Sequence, residues 1–338
     1  MRGSLRFYLA TLVVTAHMGY SGNINIGVSA VIVFYMLAGY VVTHLLNEYF
    51  PPSQLLKFYA ERLIRIFPLY ITLLATVSLF LYLSNFDSPK FTLMNIFANL
   101  TIVPLNYFMY LNVNVTQDYC VLPPTWSLAA ELQAYLLLPL VVRHLKMKWI
   151  VGIVSLCFFT ASAFQVLDPD IWGYRLIPGT LYVFLTGSAT YRAIKNQDES
   201  DYFDRIFPIV CWSWLLLLLL SLHIGHRLHE FTAATILGFL IGLPIVRFTS
   251  SSTIRLPFDS VMGTISYGLF LIHMPVAWFF EYIVGKSPVG IRDFMIVMIA
   301  SSLISAGVTF PIDHFTWPLR KSLTSRQKMI NVPDVDIH

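Results

Sequence analysis

"VSAVIVFYMLAGYVV", residues 28–42, is a run of apolar, aromatic and small residues without a single charge. Three more runs resemble it: "LYITLLATVSLFLYL" at 69–83, "VCWSWLLLLLLSL" at 210–222 and "FMIVMIASSLISAGV" at 294–308. Each extends, with its flanks, to about the 20 apolar residues that a helix needs to cross a bilayer. Soluble domains carry about 25% charged residues, whereas this 338-residue chain carries 12% and is 57% hydrophobic. Its mean hydropathy is +0.68. In hydrocarbon each backbone N–H must find its acceptor within its own segment. The fold expected is therefore all-α, a polytopic transmembrane helical bundle.

About ten spans are predicted: 5–20, 26–46, 65–83, 127–142, 149–166, 175–194, 206–222, 231–248, 261–284 and 292–312. Arg2 and Arg6 precede the first, as in a signal peptide, but no small-x-small cleavage site follows and the next span begins at once. The stretch "FTLMNIFANLTIVPLNYFMY" at 91–110 is apolar but interrupted by Asn95, Asn99, Pro104 and Asn106. If it crossed, "RHLKMK" at 143–148 would face outward, against the positive-inside rule. It is predicted to be an outer, re-entrant segment buried against protein. With both termini cytoplasmic, 17 Lys and Arg lie inside and 5 outside (Lys90, Arg175, Arg227, Lys286 and Arg292). Topology thus accounts for the net charge of +4, and no nucleic-acid partner is expected. Residues 1–320 form one transmembrane domain, and 321–338 form a short polar cytoplasmic tail. Cys120, Cys157 and Cys211 have neither metal-ligand nor disulfide-framework spacing. The sites Asn99–Thr101 and Asn114–Thr116 match the glycosylation pattern and are read as chance.

Against this background a few polar residues stand out. Arg6 and His17 are eleven residues apart, about 16 Å along a helix and on one face of it. Arg6 would lie at the cytoplasmic mouth, where a snorkelling anchor is the plain alternative. His17 would lie deep in the outer half, where an ionisable group is functional by default. Arg62 and Arg65 share a helical face at the inner entry to the third span. Their paired guanidinium groups suit bidentate phosphate binding, with anchoring under the positive-inside rule as the plain alternative. Glu61 offers Arg65 an i,i+4 salt bridge and leaves Arg62 without one. "PPTWSLAAELQAYLLLPL" at 123–140 brings Trp126 and a stripe of Ser127, Glu131 and Tyr135, with Ser127 a candidate N-cap. "GTISYGLFLIHMPV" at 263–276 places Ser266 and His273 on one face, beside Tyr267. His17, Glu131 and His273 fall at a similar depth and are expected to share a polar cavity.

Taken together, these stretches resemble the acyltransferase family 3 membrane proteins, which O-acylate sugars and other surface molecules. Arg6 and His17 match the family's arginine, ten residues, histidine pattern. "GVSAVIVFYMLAGY" at 27–40 is similar to its second-helix pattern, with Ala38 and Tyr40 in place of serine and phenylalanine. "RLIRIFP" at 62–68 and "WSLAAE" at 126–131 match two further motifs. "ISYGLFLIH" at 265–273 matches another, with Phe270 for tyrosine. "PIDHFTWP" at 311–318 resembles the closing element, with Asp313 for glutamate. The resemblance implies no bound cofactor, an acyl-CoA donor (acetyl-CoA expected) reaching the protein from the cytoplasm, and a sugar, glycan or lipid-linked acceptor at the outer face. It implies His17 as the essential base or acyl relay, oriented by Glu131 or His273, and Arg6, Arg62 and Arg65 as donor-binding residues. Trp126, Ser127, Tyr135, Ser266 and Tyr267 would line the acceptor side or the cavity. The protein would be embedded in membrane lipid, in a bacterial inner (plasma) membrane. A proton-coupled transporter relaying through His17, Glu131 and His273 is the rival reading, and a membrane scaffold is a third.

Overall fold

The computed structural model describes residues 3–20, 24–86, 91–107, 120–197, 200–251 and 256–324. Of the charges counted above, Arg2, Lys90, Arg255, Arg326 and Lys328 lie outside these residues, as does the site at Asn114–Thr116. The described residues form helices and connecting turns, with no strand among them. The helices are α1 (Gly3–His17), α2 (Ile26–Glu48), α3 (Leu55–Ser84), α4 (Leu93–Thr101), α5 (Thr125–Val141), α6 (Leu145–Ala163), α7 (Pro169–Trp172), α8 (Ile177–Lys195), α9 (Tyr202–Ile224), α10 (Glu230–Ser251), α11 (Asp259–Val284) and α12 (Gly290–Thr324).

Seven of them are long and apolar enough to cross a membrane: α2, α3 with the turn before it, α6, α9, α10, α11 and α12. The other three expected spans fold as helices but differ in kind. At 15 and 17 residues, α1 and α5 reach only about 22 and 26 Å. The third, α8, carries Thr180, Thr186, Ser188 and Thr190, and every residue from Gly179 to Tyr191 is buried. A helix enclosed by other helices needs no apolar face, so its hydropathy is low. Its Thr180, Thr186 and Thr190 hydroxyls donate to main-chain oxygens one turn back.

Small residues let α8 lie directly on α2. A Cβ on Gly39 would come 1.9 Å from the Phe184 carbonyl oxygen, and one on Gly187 would come equally near that of Met36. Thr43 Oγ1 donates to Ser188 Oγ at 2.7 Å across the same seam. Close backbone approach plus an interhelical hydrogen bond is how helices associate where no hydrophobic drive separates them from lipid.

Among the described residues 91–107 there is no helix long enough to span. Helix α4 there has nine residues, about 14 Å, and the asparagines of the stretch turn inward to serve backbone. Asn99 Nδ2 donates to Asn95 O, Asn99 Oδ1 accepts from Val121 N, and Asn106 Nδ2 donates to Trp126 O and Arg175 O.

Two helices outrun their expected bounds at the end of the bundle that carries the arginines. The α3 helix begins at Leu55, ahead of the expected 65, and α12 runs on to Thr324, past 312. Charges read as span boundaries are helix-interior residues here, because they neutralise one another across the helices, as described next.

Candidate active site

The site starts from a helix cap. The Asp259 carboxylate accepts hydrogen bonds from Gly3 N at 3.0 Å, Ser4 N at 2.9 Å and Ser4 Oγ at 2.6 Å. It satisfies free N–H groups of α1 and sits at the positive end of that helix. Gly3 makes the approach possible: a Cβ there would meet the Asp259 carbonyl oxygen at 1.9 Å. From this contact α1 and α11 run side by side in the same direction. Fourteen residues onward on each, about 21 Å, His17 and His273 meet. His17 Nδ1 and His273 Nε2 are 2.8 Å apart, and the rings stack with centroids at 5.0 Å. Equal steps along two parallel helices carry the register fixed at Asp259 to the histidines.

Hydrogen-bond logic then assigns the protons. His273 is wholly buried and its Nδ1 lies 2.9 Å from the Phe270 carbonyl oxygen. A carbonyl can only accept, so Nδ1 of the neutral ring carries the hydrogen and Nε2 is the acceptor. His17 Nδ1 therefore donates, which leaves the His17 Nε2 lone pair free. His17, the last residue of α1, is exposed. The arrangement is a buried, main-chain-anchored imidazole fixing the tautomer of an accessible one.

The opposite end is a charge network. Glu61, nearly fully buried, accepts from Arg62 Nε at 2.6 Å and from Arg320 Nε at 3.0 Å. Arg65 Nη1 donates to Asp313 Oδ1 at 2.9 Å, and Arg320 Nη1 donates to the same oxygen at 3.2 Å. The expected Glu61–Arg65 pair is thus replaced: Glu61 turns to Arg62 and Arg320, and Arg65 reaches Asp313 on α12. Sequence spacing offered only the i,i+4 partner. Arg320, read as a mere topological charge, ties the two carboxylates together, and no local pattern marked it.

A cavity of about 120 Å³ opens between the two ends. Arg6, Arg62, Arg65, Glu131, Tyr135 and Tyr267 contribute its polar wall, and Ser127 and Ser266 also border it. The Tyr135 hydroxyl donates to Glu131, and the Arg62 guanidinium lies 5.8 Å from the Tyr135 ring centroid. Arg6 and Arg62 are both within electrostatic reach of the Glu131 carboxyl group.

Three expectations need correction. Glu131 does not join the histidines: neither His17 nor His273 borders the cavity that Glu131 lines. Five residues of α5 beyond Trp126, about 7.5 Å, take Glu131 toward the arginines. Trp126 itself lies outside that cavity, packed under the Arg175 guanidinium at 4.5 Å and edge-on to Tyr174 at 5.3 Å. Ser127 is not an N-cap: α5 starts at Thr125, and Ser127 Oγ donates back to Pro124 O at 3.0 Å. Between cavity and histidines stand Phe34 and Phe270, edge to face at 5.8 Å, with the Phe270 ring 6.5 Å from that of His273. Arg175, counted only as an outer charge, is within electrostatic reach of His17 and is held by Asp170 at 3.1 Å. Among the described residues no cluster of His, Cys, Asp and Glu could hold a metal ion.

Known proteins bear on this arrangement. The chain is 30% identical over 202 residues to an uncharacterized protein of Aquifex aeolicus (strain VF5), covering 59% of this chain and 87% of the relative. It is 29% identical over 251 residues to an uncharacterized protein of Haemophilus influenzae, covering 66% of this chain and 99% of the relative. No solved structure matches it. The family described as an acyltransferase domain matches residues 4–312, which include the helix cap, the histidine pair, the cavity and Glu61. Nearly the whole chain is accounted for by that match, and the protein belongs to acyltransferase family 3.

Proposed function

We propose that this membrane acyltransferase moves an acyl group, acetyl in the first instance, from cytoplasmic acyl-CoA to a hydroxyl of a sugar, glycan or lipid-linked acceptor at the outer face. In this reading ten helices cross a bacterial inner membrane, α1, α5 and α8 included, with both termini cytoplasmic. The lysine and arginine asymmetry supports that orientation, and both relatives named above come from bacteria. No cofactor is retained: acyl-CoA is a substrate.

One observation carries the reading. His17 Nε2 is the free, accessible nitrogen of an imidazole whose other nitrogen is committed to His273. Such a nitrogen takes a proton from an acceptor hydroxyl as the hydroxyl oxygen adds to the thioester carbon. The C=O bond becomes C–O⁻, then re-forms as the C–S bond breaks. The thiolate leaves with the proton that His17 held, and the imidazole is restored. Arg6, Arg62 and Arg65 lie at the far end of the cavity, where guanidinium forks suit the donor's phosphates. Glu61 and Asp313 occupy those forks without donor, so phosphates enter by exchanging with carboxylates.

A proton relay through His17, Glu131 and His273 is less well supported, because Glu131 is bonded to Tyr135 and shares no cavity with the histidines. Purified protein in vesicles, given labelled acetyl-CoA, is expected to release CoA only when a sugar acceptor is present. Proton uptake coupled to solute accumulation, without CoA release, would support the transporter instead.

A further inference from the structure

The cavity holds two polar atoms that nothing among the described residues satisfies. The hydroxyls of Tyr35 on α2 and Tyr267 on α11 both border it, both are screened from solvent, and neither has a hydrogen-bond partner. Tyr35 is 2% exposed and its ring is clamped on Phe184 at 4.6 Å, so its hydroxyl cannot swing out to water. A buried hydroxyl without a hydrogen-bond partner is a net cost to the fold unless a ligand supplies the partner. Two of them in one cavity, away from its arginines and beside apolar wall, call for neutral acceptor atoms on the ligand at those points. The remaining wall beside them is apolar, with Val31, Leu37, Ala38, Val41 and Ile66.

Their placement differs along the path. Both hydroxyls are within electrostatic reach of Glu131, but that of Tyr35 also feels Arg175 and Tyr174, and Arg175 in turn reaches His17. That of Tyr267 also feels Tyr70, Tyr135 and Arg65, toward the arginines. An extended arm running from phosphates at Arg62 and Arg65 to a thioester near His17 would be mostly methylene, interrupted by amide carbonyls and ending in the thioester carbonyl. We infer that Tyr35 and Tyr267 recognise the carbonyl oxygens of an acyl-thioester arm threaded through this cavity, Tyr35 at the thioester and Tyr267 at an amide nearer the phosphates. The inference rests on the acyl-CoA reading above. As the nucleophile adds, the thioester oxygen gains charge and the Tyr35 hydrogen bond strengthens, so Tyr35 acts on the step itself. Tyr267 meets a carbonyl that does not react, so its bond contributes equally before and during transfer.

The test is Tyr35→Phe and Tyr267→Phe in the full-length protein, each removing one oxygen atom. Tyr35→Phe is expected to lower kcat at least tenfold with little change in donor KM. Tyr267→Phe is expected to raise donor KM about tenfold with little change in kcat. Neither should lower the thermal unfolding midpoint, since neither hydroxyl bonds within the protein. An S-alkyl CoA thioether, which keeps the amide carbonyls but lacks the thioester carbonyl, should bind wild type and Tyr35→Phe equally, because the thioester oxygen is what Tyr35 contacts. Unchanged kinetics in both variants would overturn the inference, as would activity lost in step with a lowered unfolding midpoint. A wild-type protein that binds no CoA compound would instead overturn the donor assignment itself.

Discussion

The two ends of the bundle solve opposite problems. At the histidine end, a neutral ring is anchored by main-chain oxygen, holds a second ring by one hydrogen bond, and leaves one nitrogen open. At the arginine end, Arg62, Arg65 and Arg320 are matched against Glu61 and Asp313 until each charge has a partner. In the proposed function the first is organised before substrate arrives, and the second, closed on itself, is opened by the donor. Burying an unpaired charge costs several kcal/mol, whereas a neutral imidazole can wait unpartnered at one nitrogen at little cost. The contrast therefore follows from which groups can be neutral.

If the histidine end performs the chemistry, the largest effect lies there. His17→Gln keeps a polar side chain of similar reach but cannot shuttle a proton. Transfer is expected to fall by at least about a hundredfold, with acyl-CoA binding retained by equilibrium titration. A folded His17→Gln protein with near-normal turnover would dissolve the distinction between the ends.

The arginine end comes next. Arg62→Lys and Arg65→Lys keep the charge and lose the planar fork. Each is expected to weaken donor binding about thirtyfold, the worth of one charge-assisted hydrogen bond of about 2 kcal/mol, at unchanged kcat. Unaltered donor affinity in both would make these residues structural partners of Glu61 and Asp313 and nothing more.

His273 sharpens the comparison, because in the proposed mechanism it only positions the reacting His17. His273→Ala is expected to lower kcat about tenfold, one hydrogen bond of about 1.4 kcal/mol, with donor KM unchanged. His273→Gln, which can still accept from His17 Nδ1, should recover part of the rate. Equal loss in both variants would mean that His273 serves packing alone.

The smallest effect tests the link from cap to histidine. Asp259→Ala removes the acceptor for Gly3 N, Ser4 N and Ser4 Oγ. A lost cap costs about 1 kcal/mol. The unfolding midpoint should drop modestly, and kcat should fall a few-fold because α1 no longer holds its register on α11. Asp259→Asn, which keeps one acceptor oxygen, should lie between.

Sequence by itself determined the solvent and the helices. A chain with 12% charge and repeated apolar runs has no soluble fold open to it, and ten of its segments are helices where the runs placed them. It also put Arg6 and His17 on one helix, since eleven residues complete almost a whole number of turns. Asn95, Asn99, Pro104 and Asn106, with the basic cluster at 143–148, marked 91–110 as a doubtful span, because they break the apolar run and a crossing there would turn those charges outward. Where sequence stopped was at every question of partner. Glu61 was read against Arg65 because only local neighbours are visible in a chain; α12 brings Arg320 and Asp313 from about 250 residues away. His273 was one of two candidates to orient His17. The parallel run of α1 and α11 from Asp259 set His273 beside His17, and α5 carried Glu131 to the cavity with the arginines. Hydrophobic burial acts through area and period, which a sequence displays. Hydrogen bonds and ion pairs act through distance and direction, and only the packed helices set those.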